Sequence, residues 1–390
     1  MSSINLENLT MPESTSYAGL FRNCYELESV KLPKNATIIH SLIFDLCHKL
    51  KNVNIPDTVT TIGYEAFRGC TSLESIIIPD SIKRISKCTF QDCTGLKSVT
   101  LPSSLKTIGR NAFYNCSSLE SITIPASVET IGDSAFQQCK NLTDVNIQND
   151  LTNTTSPASL KTIGPNTFKD CEKLKNINIP DSVTRIGESA FMSCTSLESL
   201  TLPDSVTRID YRAFASCKGL KNITIPDSVT NIESEAFHGC TSLKSIILPD
   251  SLYYIGAHAF NNCESLGHIK LPDSIDNIYN NTFAGCSSLE YITIPDAVKS
   301  IGSHAFSECK SLENLEIPYG VTDIVFMAFY NCKNLKNITI PTSLNYINSY
   351  AFSKCESLET VTIISDCTSK IIDVRELDLD TMDQWIFLYF

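Results

Sequence analysis

The apolar positions of this chain recur every 23 residues, and the segment from Ile62 to Arg84 is one copy of the pattern. In each copy a cysteine such as Cys70 is followed three residues later by a leucine. Aliphatic side chains such as Ile76 and Ile78 come six and eight residues after the cysteine, and this alternation predicts a short strand with one buried face. A proline usually follows and ends the strand, because proline has no N–H group for a strand ladder. Such a period predicts a stack of coils that share one continuous core.

The second half of each copy contains an Ala-Phe-x-x-Cys block, as in the segment 66–70. Because Ala66, Phe67 and Cys70 are three and four residues apart, we expect them on one side of a short helical turn. An acidic residue just before the block, such as Glu65, suits a helix N-terminus. Strands that recur at this interval and are joined by crossovers must be parallel. The sequence therefore predicts an α/β solenoid with a parallel sheet on one side of each coil.

The repeat resembles the BspA-like class of leucine-rich repeat, and the residues that carry the resemblance are Leu73, Ile76, Ile78, Pro79, Ile85 and the Ala-Phe-x-x-Cys block. This resemblance implies a right-handed horseshoe or arc with a parallel concave sheet and with short helical turns or short strands on the convex side. It also implies a surface protein that acts as an adhesin or binds host proteins.

The repeats divide the chain into three parts. Residues 1–20 are expected to form an N-terminal cap and an incomplete first repeat, and residues 21–363 a solenoid of about 15 coils of 23 residues each. Residues 148–159 interrupt the register and are expected to form a loop, which is either a tolerated insertion or a site of contact. Residues 364–390 are expected to be a C-terminal cap or a partner-binding tail, with a helical pattern from 373 onward.

The 17 cysteines follow the repeat rather than a disulfide framework. Apart from Cys88 and Cys367 they stand in one fixed place of each coil, 23 residues apart except across the insertion. A small apolar residue repeated in one place is typical of a buried core position. We therefore expect free thiols, since disulfide frameworks belong to short chains that lack a core. No C-x-x-C motif is present, so the sequence does not favour zinc.

The formal net charge of −12 argues against nucleic acid or an anionic membrane as the main partner. No apolar run approaches the 18 or so residues that span a bilayer, so no membrane span is expected. The first residues lack both the basic and the apolar regions of a secretory signal, which favours a cytoplasmic location by default. The family resemblance favours the cell surface instead, so the location stays open.

No arrangement of residues in the sequence indicates catalysis, a metal or a cofactor. Its 6 histidines are scattered, and no Gly-rich phosphate loop is present. An aspartate follows the proline in six consecutive coils and offers either a divalent-cation edge or a residue that closes its own turn by accepting a backbone N–H. These residues are Asp181, Asp204, Asp227, Asp250, Asp273 and Asp296. We favour the turn, and we expect no enzymatic activity, no metal and no cofactor.

The outward strand positions are mostly serine and asparagine, but they become less uniform late in the chain. On the strands where the pattern becomes less uniform, the outward residues include His268, Lys270, Tyr291, Asn314 and Glu316. Because binding hot spots favour tyrosine and charged residues at such places, we predict a ligand-binding patch there, with ordinary surface variation as the alternative. The predicted function is a non-enzymatic protein-binding scaffold, with an intracellular adaptor or a structural assembly protein as alternatives. The sequence does not predict an oligomeric state.

Overall fold

The computed structural model describes residues 3–7, 17–149, 160–348 and 350–364, together with the backbone of residues 369–373. These residues belong to two compact units, Met1–Leu197 and Glu198–Phe390.

The first unit contains two series of strands, a longer series of three or four residues and a shorter series of two residues. From β2 onward the two series alternate along the chain. They are β1 (Ser3–Asn5), β2 (Ser29–Lys31), β3 (Ile38–Ile39), β4 (Asn52–Asn54), β5 (Thr61–Ile62), β6 (Ser75–Ile77), β7 (Arg84–Ile85), β8 (Ser98–Thr100), β9 (Thr107–Ile108), β10 (Ser121–Ile124), β11 (Thr130–Ile131), β12 (Asp144–Ile147), β13 (Thr162–Ile163), β14 (Asn176–Asn178) and β15 (Arg185–Ile186). Where strands of one series are hydrogen-bonded to each other, the pairing is parallel and joins adjacent coils, as β6 does with β8 and β7 with β9.

The second unit repeats this arrangement. Its strands are β16 (Ser199–Thr201), β17 (Arg208–Ile209), β18 (Asn222–Thr224), β19 (Asn231–Ile232), β20 (Tyr254–Ile255), β21 (His268–Lys270), β22 (Asn277–Ile278), β23 (Tyr291–Thr293), β24 (Ser300–Ile301), β25 (Asn314–Glu316), β26 (Asp323–Ile324), β27 (Asn337–Pro341), β28 (Tyr346–Ile347), β29 (Thr360–Ile364) and β30 (Ser369–Asp373). Pairing is again parallel within each series, as between β21 and β23. Only β30, within the described part of the chain, pairs antiparallel, and its partner is β29.

The longer strands confirm the predicted parallel sheet, and their alternation follows from burial. Ile76 is 4% exposed and faces the interior, whereas its neighbours Ser75 and Ile77 face outward. The two-residue strands fit the short strands expected as the alternative to helical turns, and in β5 Ile62 is buried and Thr61 is exposed. The stack of parallel-stranded coils predicted from the 23-residue period is therefore present.

The expectation of short helical turns, and with it the α/β class, is wrong: the described residues contain no α-helix. In the 66–70 block, alternate N–H groups donate to the neighbouring coil, Phe67 to the oxygen of Thr89 at 2.9 Å and Gly69 to that of Gln91 at 2.8 Å. The N–H of Cys70 closes a local turn on Phe67. In an α-helix the N–H of Cys70 would instead donate to the carbonyl oxygen of Ala66, four residues earlier.

Left-handed backbone positions make this alternation possible. The residues five and one before the cysteine have positive φ, as in Glu65 at 55° and Gly69 at +69°. The position directly before the cysteine is often asparagine, aspartate or glycine, such as Asn115 and Asp170, which tolerate this conformation best. Gly63, which follows Ile62, does not have a positive φ.

The core of each coil contains a stacked phenylalanine and a buried thiol. In the second unit Phe260 lies between Phe237 and Phe283, with ring centroids 5.5 and 5.6 Å away and near-parallel planes. The thiol of Cys263 donates to the carbonyl oxygen of Phe237 at 3.2 Å. The first unit repeats the stack, as between Phe90 and Phe113. The register cysteines that the structure describes are free, which confirms the expectation of core thiols.

The insertion does not break the stack. β12 pairs with β14 in parallel across it, with Asp144 beside Asn176. The Asn178 side chain accepts the N–H of Ile147 at 2.9 Å and donates to its carbonyl oxygen, so it covers the backbone groups where the coil is interrupted. Residues 150–159 and the expected helix beyond 373 lie outside the described residues. The loop and both caps therefore stay predictions.

Candidate protein-binding face

The structure places all of the predicted binding residues on the exposed face of the longer-strand sheet in the second unit. His268 and Lys270 are the outward residues of β21, Tyr291 is the first residue of β23, and Asn314 and Glu316 are the outward residues of β25. β21 and β23 are hydrogen-bonded neighbours, and β25 lies beside β23. Because the side-chain period of a strand is two residues, all of these side chains point to the same side.

His268 and Tyr291 form the centre of this face. The register of β21 and β23 places them directly opposite each other. Their rings stack with centroids 5.7 Å apart and planes at 3°. Tyr291 nevertheless remains 58% exposed, so the stack is a solvent-facing aromatic feature rather than core.

An exposed isoleucine beside the stack was not predicted. Ile247 is 84% exposed, and the bridge between Ser245 and His268 sets its coil in register with β21. Ile247 therefore occupies the strand position of Lys270, one coil earlier. The signal in the sequence was weak, because Ile-Ile-Leu at 246–248 is also what a fully buried strand contains.

A glycine also opens this part of the surface. In many coils the residue before the first outward strand residue is glutamate or lysine. A lysine and a glutamate that occupy this position in adjacent coils can form an ion pair, as Lys221 does with Glu198 at 2.8 Å. In the following coils the position is Lys244, Gly267 and Glu290. Within the described chain neither Lys244 nor Glu290 makes an ion pair. No heavy atom lies within 4 Å of where a Gly267 Cβ would stand, so the surface is open at this position, a notch that directly precedes His268 in the chain.

Glu316 belongs to a groove at the carboxyl ends of the strands in the second unit. The groove has a volume of ≈ 780 Å³ and is also lined by Asp296, Tyr319 and Gly320. Tyr-Gly at 319–320 replaces the Asp-Ser pair of other coils, and the Tyr319 hydroxyl donates to the carbonyl oxygen of Ile364 at 3.2 Å. A Cβ on Gly320 would lie 1.8 Å from the carbonyl oxygen of Asp296, so glycine is needed for this close approach.

The aspartates that follow the prolines do not gather into a metal site. Among the described residues no group of three or more His, Cys, Asp or Glu side chains has the arrangement of metal ligands. The turn is closed by other groups: the N–H of Val206 donates to Pro203, and the Ser228 hydroxyl of the next coil donates to Val206 at 2.6 Å. The side chain that bonds the backbone of this turn is therefore the serine of the next coil, and not the aspartate that we expected to accept a backbone N–H.

The ionisable groups with strongly shifted pKa values belong to the core rather than to this face. Burial raises the pKa of the Cys286 thiol to about 12, and it raises that of Cys263 well above its usual range. These thiols are inert because only the thiolate is nucleophilic. The exposed face offers shape, aromatic surface and charge.

Comparisons with known proteins agree with this architecture. A family model described as a BspA type leucine rich repeat region matches residues 1–74, 60–159, 161–290 and 276–373. The chain is similar to a leucine-rich repeat protein from Bacteroides ovatus, with 31% identity, 92% of this chain and 86% of that chain covered, and a TM-score of 0.66. A leucine-rich repeat protein from Eubacterium ventriosum is 24% identical, with 85% of this chain and 83% of that chain covered and a TM-score of 0.50.

No curated protein sequence matches the chain. In the part of the chain that the structure describes, no helix has the length and apolar character needed to cross a membrane.

Proposed function

The chain belongs to the BspA type leucine-rich repeat family, and we propose that it is a non-enzymatic scaffold that binds a partner protein through the exposed sheet face around His268 and Tyr291. Lys270, Asn314 and Glu316 complete the contact surface. The observation that carries the proposal is the aromatic stack of His268 and Tyr291 on a sheet whose other outward positions are mostly small and polar.

The physical argument is that this face exposes side chains whose burial releases free energy. Covering a large apolar side chain contributes about 1.5–3 kcal/mol, and Ile247 and Tyr291 are both mostly exposed. Tyrosine adds area at a low cost in conformational entropy, and it is enriched among residues that dominate binding. The notch at Gly267 gives a partner side chain access to the stacked rings.

The test compares a double substitution with a matched control. Partners are captured from cell extracts by the wild-type chain and by His268→Ala/Tyr291→Ala, and a protein retained only by the wild type is purified. We expect its dissociation constant to rise at least about tenfold with the double substitution, because each truncated hot spot costs about 2 kcal/mol or more.

The control carries Ser75→Ala and Ser98→Ala, which are opposite each other on β6 and β8 in the first unit. We expect it to bind within about twofold of the wild type, since neither serine presents a large side chain. Equal affinity of the wild type and the His268/Tyr291 variant for every captured protein would contradict the proposed surface.

We further propose that the scaffold acts at the cell surface as an adhesin or a binder of host proteins. Its support is the family membership together with the exposed aromatic contact face. Intact cells of the source organism are treated with a membrane-impermeant biotin reagent, and a cytoplasmic protein serves as the negative control. Labelling of the chain is the expected result, whereas labelling only after lysis would favour the intracellular adaptor.

A further inference from the structure

We propose that the groove lined by Asp296, Glu316 and Tyr319 receives a lysine or arginine side chain of the partner protein. The proposal rests on the proposed function, because the groove opens on the same sheet face, and it adds the chemistry of the partner.

The walls of the groove suit a long side chain with an apolar stem and a cationic head. Ile294, Ile317 and Pro318 line it together with the ring of Tyr319. The aliphatic stems of lysine and arginine pack along such surfaces and keep their charged ends in polar surroundings. Its volume of ≈ 780 Å³ exceeds what one side chain needs, so the neighbouring backbone of the partner fits as well.

The charges of the groove select a cation. Asp296 and Glu316 are both exposed, and among the described residues neither has an ion-pair partner. Elsewhere on this face carboxylates pair with lysines of the adjacent coil, as Glu313 does with Lys336 at 3.4 Å. Two unpaired carboxylates beside a tyrosine ring attract a cation by charge and by the ring quadrupole.

A local change in the repeat creates the groove. Most coils carry a serine at the place of Gly320, and its hydroxyl bonds the preceding coil, as Ser274 does to Leu252 at 2.6 Å, whereas the coil before Gly320 has Ala297 there. At this coil the serine is absent and Tyr319 takes the place of the exposed aspartate. The net charge of −12 strengthens the attraction of a basic partner to the whole molecule.

The experiment uses the full chain and short peptides as probes. Acetyl-Gly-Arg-Gly-amide and acetyl-Gly-Lys-Gly-amide are compared with acetyl-Gly-Gln-Gly-amide by saturation-transfer difference NMR at low salt. We expect transfer to the side-chain methylenes of arginine and lysine, at least about threefold weaker for glutamine and reduced in 0.5 M salt, because exposed charges are screened. Comparable transfer to the glutamine peptide, or no transfer to any peptide, would overturn the proposal.

Two substitutions locate the peptides. Glu316→Gln and Asp296→Asn should each reduce the transfer to the arginine peptide at least about threefold. Glu290→Gln removes one exposed carboxylate that does not line the groove and serves as the charge-matched control, with transfer close to the wild-type level. Circular dichroism checks that each variant is folded, and an equal loss in all three variants would contradict a site in the groove.

This result is separable from that of the proposed function. Peptide binding that depends on Glu316, together with partner binding that ignores His268 and Tyr291, would keep the groove and reject the aromatic patch. If partner binding requires His268 and Tyr291 and no peptide binds, the aromatic patch is kept and the groove is rejected.

Discussion

The buried column of phenylalanines and cysteines and the exposed sheet face come from the same 23-residue repeat, yet they obey different constraints. In the column Phe260 stacks between two identical rings, and Cys263 bonds the coil before it. On the exposed face, β21 and β23 carry His268 and Tyr291 where β6 and β8 carry serines. The difference shows that coil stacking fixes the interior, because each coil must fit its neighbours, and leaves the outward positions free to specify a partner.

The column should make the protein unusually sensitive to alkali, and this is the largest effect we predict. The folded pKa of buried thiols such as Cys286 is raised to about 12 by burial, whereas unfolded cysteine ionises near 8.5. Their contribution to stability is therefore complete below the unfolded pKa and is lost as pH rises toward the folded one. Each such thiol should lower the free energy of unfolding by ~1.4 kcal/mol per pH unit above about pH 9.

Urea titrations at pH 8, 9 and 10 measure this effect. Cys286→Ala should reduce the pH slope by ~1.4 kcal/mol per unit, since one titrating group is removed. Stability that is independent of pH in this range would show that the thiols are not buried as described.

Removing one ring from the column should be the next largest effect. Phe260→Ala leaves a cavity between Phe237 and Phe283, and we expect the free energy of unfolding to fall by about 3–5 kcal/mol. Thermal and urea unfolding measure the loss. Tyr291→Ala is the comparison, because Tyr291 is 58% exposed and should cost less than about 1 kcal/mol. Similar losses for both residues would remove the distinction between column and face.

The exposed face should show the opposite behaviour, with affinity lost and stability kept. Ile247→Thr restores the residue type found at this strand position in β16 and β18. We expect stability to change by less than about 0.5 kcal/mol and partner affinity to fall about fivefold or more. Ile77→Thr is the matched control, because Ile77 is 72% exposed in the first unit but lies between polar neighbours. An equal loss of affinity in both variants would mean that exposed isoleucine alone does not mark the site.

The smallest effect concerns the notch. Gly267→Glu fills a position with no heavy atom within 4 Å and places a carboxylate in the coil next to Lys244. We expect a gain in stability of about 0.5–1 kcal/mol from the lower entropy of the unfolded chain and a weak ion pair. Partner affinity should fall a few-fold, because the side chain blocks access to the rings. Unchanged affinity with increased stability would show that the notch has no part in binding.

The sequence predicts the fold well wherever a side chain's surroundings repeat from coil to coil. The spacing of Ile76 and Ile78 predicts the parallel strands, and the position of Cys70 predicts a buried free thiol. The prediction of a helical turn was wrong because the spacing of Ala66, Phe67 and Cys70 does not distinguish two structures. It fits a helix, and it fits equally a turn whose alternate N–H groups bond the next coil. Which of these bonds form depends on the neighbouring coil and not on local spacing.

The candidate site was predictable only in part, for a similar reason. His268 and Tyr291 stand out because they interrupt a run of small polar residues at outward strand positions. Ile247 could not be recognised, since an isoleucine between two aliphatic residues has the composition of a buried strand. Asp296 meets Glu316 and Tyr319 in the groove only through the stacking of coils, because it belongs to the preceding coil.

Hydroxyl-radical footprinting of the chain with and without its identified partner tests the central claim most directly, because it reports which exposed side chains the partner covers. We predict that the oxidation rates of Tyr291 and Ile247 fall at least about threefold on binding, while those of Ile77 and Tyr64, exposed in the first unit, stay unchanged. Protection of Ile77 and Tyr64, with Tyr291 and Ile247 still oxidised at the free rate, would contradict the account.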